Sequence, residues 1–161
     1  MGRVVPQQEL VAIRTRLRSE GRKVVFTNGC FDIIHRGHVE YLAAARSLGD
    51  VLVVGVNDDA SVRRLKGPGR PVVQAEDRAA VLAALAAVDL VTTFGEDTPL
   101  ELIQAVVPDI LVKGADWPLE KVVGREVVEK SGGSVRTIAF VPDRSTTSIV
   151  ERIRKLPGHS S

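Results

Sequence analysis

Thr27-Asn28-Gly29-Cys30-Phe31-Asp32-Ile33-Ile34-His35-Arg36-Gly37-His38-Val39-Glu40 is the stretch that decides the fold. Just before it, Val24-Val25-Phe26 is a short apolar run that meets Asn28-Gly29, which reads as a buried strand entering a turn. Just after it, Val39, Leu42, Ala43 and Leu48 fall at helical spacing, so a helix is expected over Val39–Leu48. Between strand and helix stand two imidazoles, His35 and His38, with Gly37 just before the second. A helix N-terminus presents unpaired N–H groups and a partial positive charge. The histidines add donors there, and Gly37 admits close approach to the backbone. The result is an anion cradle suited to a nucleoside triphosphate.

Two histidines around a glycine are also compatible with a solvated loop or part of a metal site. A structural metal needs further ligands, and the remaining histidine and cysteine are His159, in the tail, and Cys30. The strand–loop–helix context favours phosphate.

Working outward, 161 residues fit one domain that buries about two-thirds of its unfolded surface. A hydrophobic content of 44% supports a full core. No run approaches the ~20 apolar residues of a membrane span. Met1–Gln7 has no apolar leader core, and one cysteine permits no internal disulfide, so a reducing cytoplasm is the expected setting. A net charge of +2 gives no argument for a nucleic-acid partner. Arg14, Arg16 and Arg18 read as one wet helix face.

Gln8–Glu20 reads as an amphipathic helix closed by Gly21. Valine- and isoleucine-rich runs follow at Val24–Phe26, Val51–Val56, Leu90–Thr93, Ile110–Val112 and Val135–Phe140. Without polar alternation, such runs indicate strands covered on both faces. Helical patterns separate them at Val39–Leu48, Glu76–Ala87, Pro99–Val106 and Arg125–Lys130. A last helix is expected over Thr146–Lys155, with Ile149, Val150 and Ile153 inward, before a frayed tail at 157–161. Asp59–Arg64 opens like a short helix and breaks into a basic loop, Lys66–Pro71. The expected fold is α/β: a Rossmann-like doubly wound sheet of about five parallel strands, with helices on both faces. Ligands collect beyond the carboxyl ends of such strands. The strand–turn unit at 24–38 and the segments at Asn57-Asp58, Lys113–Trp117 and Asp143–Thr147 are all expected to converge there.

These residues resemble the cytidylyltransferase-like branch of the nucleotidyltransferases, in which His-x-Gly-His is the shared phosphate motif. The closest likeness is to the adenylyltransferases that make ADP-heptose from heptose 1-phosphate, and it runs from about Lys23 to Ile153. Residues 28–38 are similar to that family's first block. Asn57–Ser61 with Arg64–Gly67 and Arg70–Val72 is similar to its second, and Glu76–Arg78 to a third. Asp97-Thr98-Pro99 resembles a fourth, Val112–Trp117 a fifth, and Ser145–Thr147 the serine-threonine-threonine block before the last helix. Asp143 and Arg144 depart from the small residues usual before that block. The arginine-threonine-glutamate-glycine segment of glycerol-phosphate cytidylyltransferases is absent.

The resemblance implies attack of a sugar-phosphate oxygen on the α-phosphorus of ATP, with Mg²⁺ present and pyrophosphate leaving. His35, His38 and Lys66 become the catalytic set. Asn28, Gly29, Phe31, Gly37, Arg78, Gly114, Asp116 and Trp117 bind nucleotide, as do Arg144, Ser145, Thr146 and Thr147. Asp32, Asn57 and Lys113 bind the acceptor. Several have a plainer alternative. Lys66 and Arg78 suit ordinary surface positions, one of the three hydroxyl residues suits helix capping, Asp32 suits an Asx turn, and Trp117 suits a core plug. No protein-held metal is expected, and a homodimer is expected by analogy. The competing readings are transfer of CMP or AMP to glycerol phosphate or flavin mononucleotide, and a nucleotide sensor without turnover.

Overall fold

Valine-rich runs that look alike in sequence pair side by side, all parallel, in one sheet of six strands ordered β1-β4-β3-β2-β5-β6. The structure is a computed structural model and describes residues 1–139, 141–142 and 144–157. In chain order the elements are β1 (Arg3–Val4), α1 (Gln7–Ser19), β2 (Val24–Gly29), α2 (Arg36–Arg46) and β3 (Val51–Asn57). Next come α3 (Asp59–Lys66), α4 (Ala75–Ala84), β4 (Leu90–Phe94), α5 (Leu100–Val106) and β5 (Ile110–Gly114). A 3-10 turn (Leu119–Lys121), α6 (Arg125–Lys130), β6 (Ser134–Ile138) and α7 (Thr146–Arg154) complete the described chain.

Alternation along each strand divides the core into two layers. Val24, Phe26, Val51 and Val53 meet α1, α5 and α6 through Leu10, Leu17, Leu102, Ile103 and Val128. Val25, Leu52, Val54 and Val56 point the other way, onto Tyr41, Leu42 and Ala45 of α2 and Ala79, Leu82 and Ala83 of α4. Chain order reverses between β2 and β5. Their carboxyl ends therefore open the crevice where such sheets hold ligands.

Several expectations change. A sixth strand, β1, adds to β4 at the edge, and a two-residue strand carries no periodicity from which to read it. The last strand ends at Ile138; Phe140 lies outside the described residues, as do Asp143 and the tail from 158 onward, His159 included. Ile153 is not inward but 47% exposed, and α7 buries none of its residues. It follows the edge strand β6, beyond which no described strand stands to cover it.

Arg14 is not on the wet face either. It is 5% exposed, while Arg16 and Arg18 are exposed as expected. Val107 ends α5 in the left-handed region (φ +43), which is strained for a β-branched residue. Arg14 grips this end, donating through Nη2 to the Val107 carbonyl at 2.8 Å and through Nε to that of Val106 at 3.2 Å. It also donates to Asp109 Oδ1 at 3.1 Å, and the other oxygen of Asp109 accepts the Val24 N–H at 2.8 Å. One guanidinium thus fixes the turn that starts β5 beside β2. Arg14→Ala is expected to lower stability by about 2–3 kcal/mol, the scale of lost charged hydrogen bonds. The measurement is the urea midpoint at constant slope, and an unmoved midpoint contradicts the role.

Candidate active site

The loop from β2 to α2 is held in a conformation that few side chains favour. Phe31 and Ile33 lie in the left-handed region at φ +47 and +49. Such residues cost on the order of 1–3 kcal/mol each and persist only where surroundings over-determine them. Here the surroundings do so. The Phe31 ring is 6% exposed and packs against His38, with ring centroids 5.3 Å apart. Between the strained pair, the Asp32 carboxylate is 1% exposed and accepts three bonds. They come from Arg70 Nε at 2.6 Å, Val72 N at 2.8 Å and Val73 N at 2.9 Å. Burial works to raise the Asp32 pKa, but the Val72 and Val73 amides and the Arg70 guanidinium together hold it below the usual value.

Helix α2 begins earlier than its apolar spacing indicates, because His35 is its N-cap. His35 is extended (φ −141), and its Nδ1 accepts the Gly37 N–H at 3.1 Å. Imidazole here fills the place usually taken by serine or aspartate. The neutral ring therefore carries its proton on Nε2 and remains a donor. His38 stacks on it, with centroids 3.9 Å apart and planes 27° off parallel. His38 Nδ1 is buried and has no partner among the described residues. Gly37 is required by close packing: a Cβ there would lie 2.9 Å from His35 Cε1 and 3.2 Å from Arg144 Cβ.

These groups line a cavity of about 830 Å³ at the carboxyl ends of the strands. Every site residue expected from sequence reaches it except Arg78. From β2 and its loop come Asn28, Gly29, Phe31, Asp32, His35, Gly37 and His38; from β3 and α3 come Asn57 and Lys66. Lys113, Gly114, Asp116 and Trp117 follow β5, and Arg144, Ser145, Thr146 and Thr147 lead into α7. The paired rings and the hydroxyl tract share one space.

Five expectations change in detail. Arg78 is 1% exposed and donates four of its five N–H groups to protein: Nε to Val73 O at 2.8 Å, Nη1 to Cys30 O at 2.6 Å and Asn57 O at 2.8 Å, and Nη2 to Asp59 Oδ1 at 2.7 Å. Buried in this way and absent from the cavity wall, it ties loops together rather than meeting a nucleotide. Asp32 spends its lone pairs on the 70–73 loop, so it is a clamp rather than a hydroxyl or Mg²⁺ ligand. Lys66 is the last residue of α3, not part of a loop; the chain breaks one residue later at Gly67 (φ +98). Trp117 is 55% exposed, which removes the core-plug alternative. Ser145 caps α7, its Oγ accepting Ser148 N at 3.1 Å, so Thr146 and Thr147 are the hydroxyls left for a ligand.

Lys113 is the unbalanced charge. It bonds Asn28 Oδ1, a neutral partner, and burial lowers its pKa to about 8. Lys66 forms no ion pair among the described residues. Asn57 is nearly enclosed and donates to Ser61 Oγ at 3.2 Å. Sequence reasoning missed Tyr41 and Lys121, which also line the cavity, and gave no role to Arg70, Asp97 and Thr98, which it placed in family blocks and which line it too. Tyr41 had a usable signal, being three residues beyond His38 on one helical face. Its hydroxyl meets Thr27 Oγ1 at 2.8 Å, and burial, with Asp116 nearby, raises its pKa to about 12.

A family model described as cytidylyltransferase-like matches residues 26–152. The chain is 56% identical over 149 residues to the Bifunctional protein HldE of Geobacter sulfurreducens, covering 92% of this chain and 30% of that one. It is 61% identical over 138 residues to the protein of the same name from Citrifermentans bemidjiense, covering 86% and 28%. The chain thus spans under a third of the length of these relatives. Among solved structures, it resembles the lipopolysaccharide core biosynthesis protein of Thermoplasma volcanium GSS1. That likeness has a TM-score of 0.62 at 31% identity, over 75% of this chain and 98% of that one. The pantoate-beta-alanine ligase of Francisella tularensis, 14% identical, shares the fold with a TM-score of 0.62 over 91% of this chain and 69% of that one.

Burial, followed by the charge of His35, lowers the His38 pKa from 6.5 to about 4. The native ring stays neutral while the unfolded chain takes up the proton. The stability that depends on it is complete above about pH 6.5 and is lost as the pH falls towards about 4. Thermal midpoints measured across that window are expected to fall more steeply for the native chain than for His38→Gln. Equal slopes contradict the assignment.

Proposed function

The chain belongs to the cytidylyltransferase-like family, and from that membership we propose that it transfers AMP from ATP to heptose 1-phosphate, releasing pyrophosphate. Residues 1–161 act in this reading as one nucleotidyltransferase domain. The observation that carries it is the shared cavity: stacked His35 and His38 on one wall, Thr146 and Thr147 on another.

Phosphoryl chemistry asks a protein for position and for charge stabilisation rather than covalent help. The neutral Nε2–H of His35 suits the α-phosphate oxygens, where charge builds as the bond to pyrophosphate breaks, and the His38 ring stacked on it lines the same cavity. Arg144, Thr146 and Thr147 receive the β- and γ-phosphates beside the N-terminus of α7. Lys113 and Lys66 bring positive charge from two sides, and Lys113, with no carboxylate partner among the described residues, gains an anionic one in a bound phosphate. The exposed face of Trp117 next to Gly114 and Asp116 offers a base something to stack on.

Among the described residues no three or more His, Cys, Asp or Glu gather as metal ligands. Mg²⁺ fits as part of the co-substrate, carried on the phosphates with its remaining waters, and supplies charge neutralisation there. ATP rather than CTP, and heptose as the sugar, rest on the likeness of the motif blocks to the ADP-heptose enzymes. A homodimer rests on the same likeness, and a cytoplasmic setting on the single cysteine. No described helix is long and apolar enough to cross a membrane.

His38→Ala is expected to fold and to lose about 10²–10³ in turnover, the scale for removing one preorganised donor; normal turnover by a folded variant contradicts the site. For the reaction itself, ATP and CTP with Mg²⁺ are each offered with heptose 1-phosphate, glycerol 3-phosphate and flavin mononucleotide while pyrophosphate is followed. Release with ATP and heptose 1-phosphate is expected. Release only with CTP overturns the adenylyl assignment, and release only with another acceptor overturns the heptose one.

A further inference from the structure

The cavity has two ends on either side of β2. One lies beyond β5 and β6, with Trp117 and Thr146–Thr147; the other lies beyond β3 and β4, with Lys66, Asp97 and Thr98. Displacement at phosphorus places attacking and leaving oxygens roughly in line, on opposite sides. If pyrophosphate departs towards Arg144–Thr147, the acceptor enters from the β3–β4 end. We propose that Asp97 and Thr98 are specificity-determining residues that read hydroxyl groups of a polyol phosphate at this end, with Lys66 on its phosphate. This rests on the transfer reaction proposed above and names the part of the site that selects the acceptor.

The geometry treats the two segments as one unit. Arg64 on α3 donates through Nε to Asp97 Oδ1 at 2.7 Å and through Nη2 to the Gly95 carbonyl at 2.6 Å. Lys66 follows on the same helix, so the phosphate cation and the carboxylate are fixed relative to one another. A second link runs from Asp58 N to Phe94 O at 2.8 Å, and a Cβ on Gly95 would lie 2.8 Å from Asp58 Oδ2. An exposed ion pair such as Arg64–Asp97 adds little stability, so its effect is positional. Asp97 Oδ2 has no protein partner among the described residues. A carboxylate repels the oxygens of a triphosphate and accepts from sugar hydroxyls, and a threonine hydroxyl both donates and accepts. That chemistry suits hydroxyl groups, and at the end of the cavity away from Trp117 and Thr146–Thr147 they are those of the acceptor's polyol arm rather than of the nucleotide's ribose.

The test is steady-state kinetics on the full chain, wild type first, with heptose 1-phosphate and a deoxy analogue lacking side-arm hydroxyls. Asp97→Asn keeps an oxygen for Arg64, and Thr98→Val keeps shape. The acceptor KM is expected to rise at least about ten-fold for Asp97→Asn and less for Thr98→Val, with the ATP KM and melting temperature unmoved. With the deoxy analogue, wild type and variants are expected to converge. A parallel rise in the ATP KM, or an unmoved acceptor KM, overturns the subsite while the transfer reaction stands. A wild-type chain that releases pyrophosphate with no sugar phosphate overturns the transfer reaction and the subsite with it.

Discussion

The guanidinium of Arg78 is the tie on which the site depends. Parallel strands release all their loops at one edge, and nothing in a sheet ladder fixes those loops relative to each other. Arg78 does so by binding the Cys30 carbonyl after β2, the Asn57 carbonyl ending β3, the Val73 carbonyl after α3 and the Asp59 carboxylate. One of these bonds, to the Asn57 carbonyl, is buried, where an oxygen without a partner is rarely tolerated. Asp32 repeats the device with the sign reversed, gathering Arg70 and two amides of the 70–73 loop. Together they convert three loops into one rigid floor.

That floor permits the strain above it. Left-handed Phe31 and Ile33 turn the chain sharply out of β2, so that His35 arrives extended and caps α2 with its own ring. The cap fixes the tautomer of His35, and stacking and burial keep His38 neutral. Two neutral donors can sit 3.9 Å apart where two imidazolium rings would repel. Positive charge is instead distributed to Lys66, Lys113 and Arg144, around the cavity rather than at its centre. The electrostatic design is a cationic rim around neutral hydrogen-bond donors, suited to charge that develops during reaction.

Much of this was legible in the residues. Continuous valine runs announced doubly covered strands, and the loops that follow them supplied the cavity because a parallel sheet leaves no other place for them. Pattern reading failed where a polar group serves the interior. Arg14 read as a surface arginine and Arg78 as a nucleotide ligand, since nothing in a helical wheel tells a solvated or ligand-binding guanidinium from one that binds carbonyls of distant segments. Asp32 read as a ligand because its partners stand 38 to 41 residues away. β1 was too short to carry a period, and the start of α2 was hidden because histidine seldom caps a helix.

The central claim is that one nucleotide bridges the imidazole pair and the hydroxyl tract. Titrating isotope-labelled protein with a non-hydrolysable ATP analogue and Mg²⁺, and following backbone amide resonances, tests it most directly. The amides of Gly37 and His38 at the start of α2 and those of Thr146 and Thr147 at the start of α7 are predicted to shift along one saturation curve with a single Kd. Separate curves for the two helices, or a response at α2 with none at α7, would contradict the account.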